Sequence, residues 1–267
     1  MPLIKYYKKR RGLKPKKSFK NINHKFPLIT IVTVVLNDVR FIEKTIQSVL
    51  NQTYQNIEYI IIDGGSTDGT LNIIRKYEKF LDFWVTEKDK GIYHAMNKGR
   101  KIAKGKWINF MNSGDTFYSK DTIKSITFTN FQNSSIIYGK ARLFNESRKL
   151  IKILKPFICN KFNLALLGGA NICHQAVFYN ADIKFRFPDE FKICGDLFSY
   201  FHYINYRPSK YIDNIICNYY LGGVSKNNNK SKSERQTILR KQVGKWAIFL
   251  YYPINLYVLI KKYFEKK

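Results

Sequence analysis

Apolar stretches alternate with amphipathic stretches over the first half of the chain. Residues 28–36 (LITIVTVVL) form a continuous, largely β-branched run, which is typical of a strand buried on both faces. Residues 41–52 follow with apolar side chains at helical spacing. The same order then repeats, predicting strand 57–63, a helix over about 70–80, strand 82–87, helix 91–103 and strand 106–112. This alternation predicts an α/β fold with a mostly parallel sheet and helices on both faces.

The pattern loosens in the second half. Residues 135–144 have the composition of a strand, and residues 157–220 mix aromatic residues with short predicted strands and helices. Residues 225–233 (SKNNNKSKS) are polar and of low complexity, which predicts a linker. We therefore predict three parts: a basic arm over 1–26, a folded domain over 27–224, and a linker with an amphipathic, helical tail over 225–267.

The charge of the chain narrows the class of partner. The 267 residues carry a formal net charge of +28, with basic residues concentrated in the arm and from Lys226 onwards. Such a charge indicates an anionic partner, which can be nucleic acid, a phosphate-bearing substrate or acidic lipid. The content of 45% hydrophobic and 16% aromatic residues argues against a disordered chain.

The spacing of the cysteines and the lengths of the apolar runs indicate the cellular compartment of the protein. The cysteines Cys159, Cys173, Cys194 and Cys217 form no close pairs, so the sequence predicts neither a zinc site nor a redox motif. We expect free thiols, no secretion signal and no spanning helix, as in a cytoplasmic protein. The basic arm and the lysine-flanked tail predict peripheral attachment to the inner face of the membrane, although the tail can instead pack on the domain.

Polar side chains follow several of the predicted strands at the point where each strand ends. In an open α/β sheet, ligands bind beyond these carboxyl ends. The residues concerned are Thr33, Asn37, Asp63, Asn112 and Asp115. The segment IIDGGSTDGT (61–70) matches neither a P-loop nor a dinucleotide fingerprint. Its acids Asp63 and Asp68 either contact a ligand or only organise a tight turn between strand and helix.

Ordered segments of the chain resemble the sequence blocks of glycosyltransferase family 2. They read TVVLNDVRFIEKTIQSVLNQTYQNIEYIIIDGGSTDGT, EKDKGIYHAMNKG, FMNSGD and CHQAVFY. The resemblance covers roughly residues 27–225 and implies the nucleotide-sugar-binding fold called GT-A. It also implies an inverting transfer of a sugar from a nucleotide diphosphate, most often UDP, to a hydroxyl of a glycan or lipid-linked acceptor in surface polysaccharide synthesis.

The resemblance further implies roles for individual residues. Asp115 is the one carboxylate left where the family usually has a cluster of acids that holds Mg²⁺ or Mn²⁺, so we expect a weaker cation site. Asp196, in DEFKICGD, is expected to be the catalytic base. His94, His174 and Gln175 are expected on the acceptor side. The expected nucleotide or donor contacts are Thr33, Asn37, Asp63, Asp68, Asp89, Lys98 and Asn112.

Simpler roles remain open for several of these residues and for the chain. Asp196 can cap a helix, Lys98 can be a solvated helix lysine, and His174 can be a satisfied strand histidine. The charge leaves a nucleic-acid-binding protein as an alternative, but its basic residues do not interleave with aromatic residues in a recognisable motif, so no nucleic acid is expected. The thinned acidic cluster leaves a catalytically inactive scaffold as another alternative.

Overall fold

The computed structural model describes residues 26–161, 163–164, 171–221 and 228–244. The predicted basic arm, apart from Phe26, and the tail from residue 245 lie outside the described residues. Within the described residues the strands form one mixed sheet in the order β3-β2-β1-β4-β8-β6-β9-β5, with β7 paired to β6. The strands are β1 (Ile29–Val35), β2 (Ile57–Asp63), β3 (Phe83–Thr86), β4 (Trp107–Phe110), β5 (Thr116–Phe117), β6 (Ile136–Phe144), β7 (Leu150–Leu154), β8 (Val177–Asn180) and β9 (Lys210–Tyr220).

Helices cover both faces of this sheet. The described helices are α1 (Ile42–Leu50), α2 (Thr70–Tyr77), α3 (Ile92–Ile102), α4 (Gly195–Ile204) and α5 (Asn228–Val243). Buried residues of α1 and α2 pack on one face, and buried residues of α3, α4 and α5 pack on the other. In α3, Gly99 lies so close to the sheet that a Cβ would be 2.4 Å from Val32 Cγ1, because the helix packs directly on β1.

The parallel order predicted from the sequence holds for the first half of the chain. Strands β1 to β4 pair in parallel, and every residue of β1 is buried. The continuous apolar run therefore reflects a central strand covered on both faces. Beyond β4 the sheet becomes mixed, because β8 runs antiparallel to both β4 and β6. The carboxyl ends of β1, β2 and β4 meet at one edge, as the sequence predicts.

The polar stretch after residue 225 differs from its prediction as a linker. Residues from Asn228 to Val243 form α5, in which Ile238 and Leu239 are fully buried against the α4 face. Among the described residues of α5, only these two aliphatic side chains are buried. The sequence of the helix therefore shows little of the apolar periodicity that would have predicted it. No helix within the described ranges is long and apolar enough to cross a bilayer.

Candidate functional site

Asp63 organises the loop that follows β2. Its side chain is fully buried, and its carboxylate accepts hydrogen bonds from the backbone N–H groups of Gly65 and Ser66 at 3.0 and 2.9 Å. The hydroxyl groups of Ser66 and Thr86 also donate to it, at 2.5 and 2.6 Å. The turn-organising role left open by the sequence is therefore observed. Contact of Asp63 with a nucleotide stays a prediction.

The loop after β1 is tied to the loop after β2. Asn37 has a left-handed backbone with φ of 51°. Its side-chain oxygen accepts from the Thr67 N–H at 2.8 Å, and its own N–H donates to the Ser66 hydroxyl at 2.7 Å. The two loops therefore form one polar surface at the sheet edge.

Asp68 adds a second tie between these loops. It accepts from the Val39 N–H at 2.9 Å and from the Thr70 N–H and hydroxyl at 3.0 and 2.6 Å. The hydrogen bond from the Thr70 hydroxyl, followed by the backbone bonds, lowers the pKa of Asp68. Asp68 is thus held as a carboxylate that orders the start of α2.

The end of β1 places Thr33 away from the loops. Thr33 is fully buried, and its hydroxyl lies 3.1 Å from the Tyr59 hydroxyl inside the layer that α1 and α2 cover. Leu36, just beyond the strand, is instead 59% exposed and adjoins Gly64. Sequence reasoning missed Leu36, because it reads as the last residue of a buried apolar run.

Asp89, His94 and Lys98 form a charged cluster at the start of α3. One Asp89 oxygen is 2.9 Å from His94 Nδ1 and 2.5 Å from Lys98 Nζ, and Lys98 also pairs with Glu87 at 2.7 Å. Although burial lowers the pKa of Lys98, the hydrogen bonds to Asp89 and Glu87 outweigh it and raise this pKa. Lys98 is therefore a paired lysine and not a solvated one.

The second oxygen of Asp89 points towards Gly64. This Oδ2 atom is buried and has no hydrogen-bond partner in the described part of the chain, and a Cβ on Gly64 would lie 3.4 Å from it. A buried acceptor without a donor costs about 1–3 kcal/mol. A ligand hydroxyl between the two loops would remove that cost.

Asp115 is buried at the end of the turn after β4. Its side chain is 5% exposed, and its two oxygens accept from Gln175 Nε2 at 2.7 Å and from the Tyr220 N–H at 2.9 Å. Burial raises the pKa of Asp115 to about 8, against the opposing effect of these two hydrogen bonds. Gln175, predicted on the acceptor side, thus contacts the predicted metal ligand directly.

Asn112 and Asp38 complete this part of the edge. Asn112 Oδ1 is buried and has no hydrogen-bond partner among the described residues, and the Asn112 carbonyl accepts from the Asp115 N–H at 3.1 Å. Asp38 accepts from the Ser113 hydroxyl at 2.6 Å, and burial raises the pKa of Asp38. Asp38 lies in the quoted block TVVLNDVR, but it was not predicted as a site residue, and only its contacts in the fold single it out.

Asn112 and Asp115 offer oxygen atoms, the ligand type that hard divalent cations prefer, although both oxygens of Asp115 already accept hydrogen bonds. No group of three or more His, Cys, Asp or Glu side chains in the described ranges is arranged to hold a metal ion. Mg²⁺ and related cations, however, often take one or two protein oxygens and complete their shell with water and phosphate oxygens. The amide oxygen of Asn112 is free for such a role.

Asp196 lies in the first turn of α4. Its Oδ1 accepts from the Leu197 N–H at 2.9 Å and lies 3.4 Å from the Tyr93 hydroxyl. That hydroxyl donates to the Ile193 carbonyl at 2.7 Å and accepts from the Asp196 N–H at 3.3 Å. One oxygen of Asp196 is therefore fixed, and the described residues make no hydrogen bond to its Oδ2.

His174 precedes Gln175, the residue that donates to Asp115. Its ring is stacked on Phe110 at 5.6 Å, and its Nδ1 is 3.0 Å from the Tyr179 hydroxyl. Burial lowers the pKa of His174, although the charge of Asp196 acts in the opposite direction. The buried Nε2 has no hydrogen-bond partner among the described residues, so the ring presents one unused polar atom.

Together these residues form a series of contacts and chain neighbours at the carboxyl ends of β1, β2 and β4, which we call the contact circuit. Every predicted site residue except Thr33 belongs to the circuit or touches it. In order, the circuit runs through Asp63, Ser66, Asn37, Thr67, Asp68, Thr70, Asp38, Ser113, Asn112, Asp115, Gln175, His174, Asp196, Tyr93, His94, Asp89 and Gly64. Successive members are hydrogen-bonded or adjacent in the chain, except that the charge of Asp196 acts on His174 without a hydrogen bond and that Asp89 only approaches the open side of Gly64.

Comparison with known proteins decides the family. The family model described as "Glycosyl transferase family 2" matches residues 30–203, which is more than half of the chain. The chain belongs to glycosyl transferase family 2. The matched range contains every predicted site residue, from Thr33 to Asp196, and the resemblance seen in the sequence is confirmed.

A curated relative in the family is the PGL/p-HBAD biosynthesis glycosyltransferase of Mycobacterium bovis (strain BCG / Pasteur 1173P2). It is 30% identical over 159 residues, which are 57% of this chain and 59% of that protein. The chain therefore aligns with less than two thirds of the length of this relative.

Solved structures confirm the GT-A fold. S. aureus TarS 1-349 in complex with UDP-GlcNAc superposes with a TM-score of 0.65 at 18% identity, covering 82% of this chain and 67% of that one. The mannosyltransferase PcManGT from Pyrobaculum calidifontis, in complex with GDP-Man and Mn2+, gives 0.55 at 15% identity, covering 85% and 74%. At these identities the likeness concerns the fold alone.

Proposed function

We propose that this family 2 member is an inverting glycosyltransferase with Asp196 as its base. The observation that carries the proposal is the contact circuit, in which Asp196 lies in the first turn of α4 and contacts Tyr93, while Asn112 and Asp115 lie on the turn after β4. Inversion requires the acceptor hydroxyl to attack from the side opposite the leaving group. A base on a different wall from the diphosphate site meets this requirement.

The proposed donor is a nucleoside diphosphate sugar, with UDP as the first nucleotide to test. The paired loops after β1 and β2 supply polar atoms for a base and ribose, and the free Asp89 oxygen suits a sugar or ribose hydroxyl. The structural neighbours with UDP-GlcNAc and with GDP-Man support a nucleotide sugar in general.

The proposed cofactor is Mg²⁺ or Mn²⁺, held by Asn112 and Asp115. When bound, such a cation neutralises charge on the diphosphate. The burial of Asp115 and the hydrogen bonds on both of its oxygens support our expectation of a weak site. The structural neighbour solved with Mn2+ supports the type of metal.

The proposed acceptor is a glycan or lipid-linked hydroxyl in surface polysaccharide synthesis. The net charge of +28 supports attachment to an anionic membrane surface, which we place on the cytoplasmic side. The described cysteines are all free and buried, in agreement with the reducing compartment that this placement implies.

A transfer assay tests the proposed function. The wild-type protein is incubated with Mn²⁺ and a panel of UDP-, GDP- and dTDP-sugars, and release of the nucleoside diphosphate is measured. Asp196→Asn keeps an oxygen for the Leu197 N–H but removes the base, so its turnover should fall at least about 100-fold.

Asp213→Asn is the matched control, because Asp213 is an exposed acid that bonds Lys140 and Tyr211 outside the circuit. Its turnover should equal that of the wild type. Wild-type turnover of no donor would support the inactive-scaffold alternative, and full turnover by Asp196→Asn would remove Asp196 from its proposed role.

A further inference from the structure

The hairpin between β6 and β7 carries an arginine at a position that usually belongs to glycine. The Arg148 N–H donates to the Asn145 carbonyl at 2.9 Å, and the Lys149 N–H donates to Asn145 Oδ1 at 2.8 Å. Arg148 closes this turn with φ of 58°. Because the Asn145 N–H donates to the Lys149 carbonyl, the loop proper is the three residues 146–148. A hairpin loop of this length commonly needs a left-handed residue at its third position, and glycine adopts that conformation without strain. An arginine in this conformation calls for a reason.

The side chain of Arg148 reaches back over the edge of the sheet. Its guanidinium lies 4.1 Å from the ring centroid of Phe41, just before α1, and 4.1 Å from that of Tyr220, at the end of β9. Phe144 stacks on the same Tyr220 ring at 4.9 Å. Aromatic faces on two sides hold the guanidinium plane and leave its N–H edges open.

Arg148 lies beside the carboxylates of the site. Tyr220, whose ring it contacts, donates its N–H to Asp115. The positive charge of Arg148 also acts on both Asp115 and Asp38, opposing the burial that raises the pKa of each. Arg40 adds a second guanidinium at 5.3 Å from the Phe41 ring.

The guanidinium is nevertheless unpaired. It has five N–H donors, and none of them makes a hydrogen bond or a salt bridge with another described residue. Other arginines in the fold are used: Arg100 donates to the carbonyls of Phe185 and Ile183, and Arg186 pairs with Asp189. A fixed, unpaired fork is suited to bidentate binding of phosphate oxygens.

We propose that Arg148 binds the diphosphate of the donor and stabilises the nucleoside diphosphate as it leaves. The inference rests on the proposed function, and it deepens that function by adding a residue from a hairpin outside every recognised sequence block. Asp115 is a single, buried carboxylate whose two oxygens already accept hydrogen bonds. The guanidinium therefore supplies positive charge that does not depend on the occupancy of the cation site.

Nucleotide binding tests this inference directly. The nucleoside diphosphate that binds the wild type is first chosen from UDP, GDP and dTDP. The affinities of the protein for this nucleoside diphosphate and for the matching nucleoside are then measured by calorimetry, once with Mn²⁺ and once with EDTA. Arg148→Asn removes the charge and places a residue that tolerates left-handed backbone at this position. Arg148→Lys keeps the charge without the planar fork.

Arg142→Gln is the matched control. Arg142 belongs to the same hairpin and also lies over aromatic rings, those of Phe144 at 5.0 Å and Tyr118 at 5.7 Å. The variant Arg142→Gln loses the same positive charge as Arg148→Asn, but from a strand residue whose backbone is not left-handed. We expect this variant to bind the nucleoside diphosphate with the affinity of the wild type.

In Arg148→Asn, affinity for the nucleoside diphosphate should fall at least about tenfold in EDTA, while nucleoside affinity stays unchanged. Arg148→Lys should lie in between. Unchanged affinity in Arg148→Asn, an equal loss in Arg142→Gln, or an equal loss for the nucleoside would each overturn the inference. If the wild type binds none of the nucleotides, the proposed function itself fails.

Discussion

The burial of Asp115 and its proposed role as a cation ligand place opposite demands on its carboxyl group. Its carboxylate is buried, and burial raises its pKa to about 8, yet a cation site needs the ionised form. Gln175 and the Tyr220 N–H stabilise the charge without cancelling the cost of burial. The residue is therefore expected to stabilise the fold less well than a neutral side chain of the same shape would.

We predict that Asp115→Asn stabilises the protein in a pH-dependent way. The ordinary pKa is 3.8 and the folded value about 8, so the unfolded chain loses the proton first and stability falls as pH rises between these values. The amide of Gln175 can rotate to meet the new group. In EDTA, the unfolding midpoint of the variant should exceed that of the wild type at about pH 8 and approach it at about pH 4.

Thermal unfolding over this pH range measures the effect, and the transfer assay on the same variant should show lost turnover. A midpoint difference that does not change with pH would contradict the buried carboxylate, and full turnover would contradict its role in the site.

The sequence placed most of the predicted site residues at one edge of the sheet, but it did not predict their contacts. Acids at strand ends are visible from pattern alone, so Asp63 and Asp115 could be placed at the sheet edge. The burial of Thr33 and the pairing of Lys98 depend on side chains from other elements. Arg148 gave no signal at all, since its stack on two rings joins segments more than 70 residues apart.

Among the elements, α5 acts on the base through the loop before α4. Glu234 of α5 is 8% exposed, and its carboxylate accepts three backbone N–H groups at 2.8 to 2.9 Å. The donors are Lys192, Ile193 and Cys194. This loop leads directly into Asp196, and Ile193 also accepts from the hydroxyl of Tyr93. Glu234 is thus expected to be a positioning residue.

We predict that Glu234→Gln destabilises the fold and lowers turnover together. The amide of glutamine turns a donor towards backbone N–H groups, so charge-assisted bonds are lost at a cost of about 2–4 kcal/mol. Displacement of the loop should lower kcat with little change in the KM for the donor. Urea unfolding and steady-state kinetics measure both effects.

Glu190→Gln serves as the control for this helix. Glu190 pairs with Lys241 of α5 at 2.6 Å, but both side chains are about half exposed, so the pair contributes at most about 1 kcal/mol. Equal effects of the two variants on kcat would contradict the positioning role of Glu234.

The strands and helices in the first half of the chain were predictable from their apolar patterns, whereas most of those in the second half were not. Strands β1 and β2 are largely apolar runs of seven residues, and α3 is an amphipathic helix of eleven residues, so their patterns are readable. Strand β5 has two residues, and neither β8 (VFYN) nor β9 (KYIDNIICNYY) alternates regularly between apolar and polar residues. The helix α5 is mostly polar, and its packing on α4 decides its conformation.

At the scale of the whole molecule, the parallel half of the sheet and the mixed half contribute different parts of the candidate site. The parallel half brings together the loops after β1 and β2, which we assign to the nucleotide. The mixed half contributes Asp196 next to β8, and the hairpin with Arg148 next to β9. The candidate site that we propose therefore lies where the strand direction changes, between β4 and β8.

Hydrogen–deuterium exchange tests the location of the site most directly. The exchange of backbone amides is compared with and without a tightly binding nucleoside diphosphate and Mn²⁺. Our account predicts slower exchange in four segments along the contact circuit, with Arg148→Asn reducing the protection. These segments are 36–39, 63–70, 89–94 and 112–115. Protection confined to other surfaces, such as the segment 158–161 with 204–209, would contradict the account.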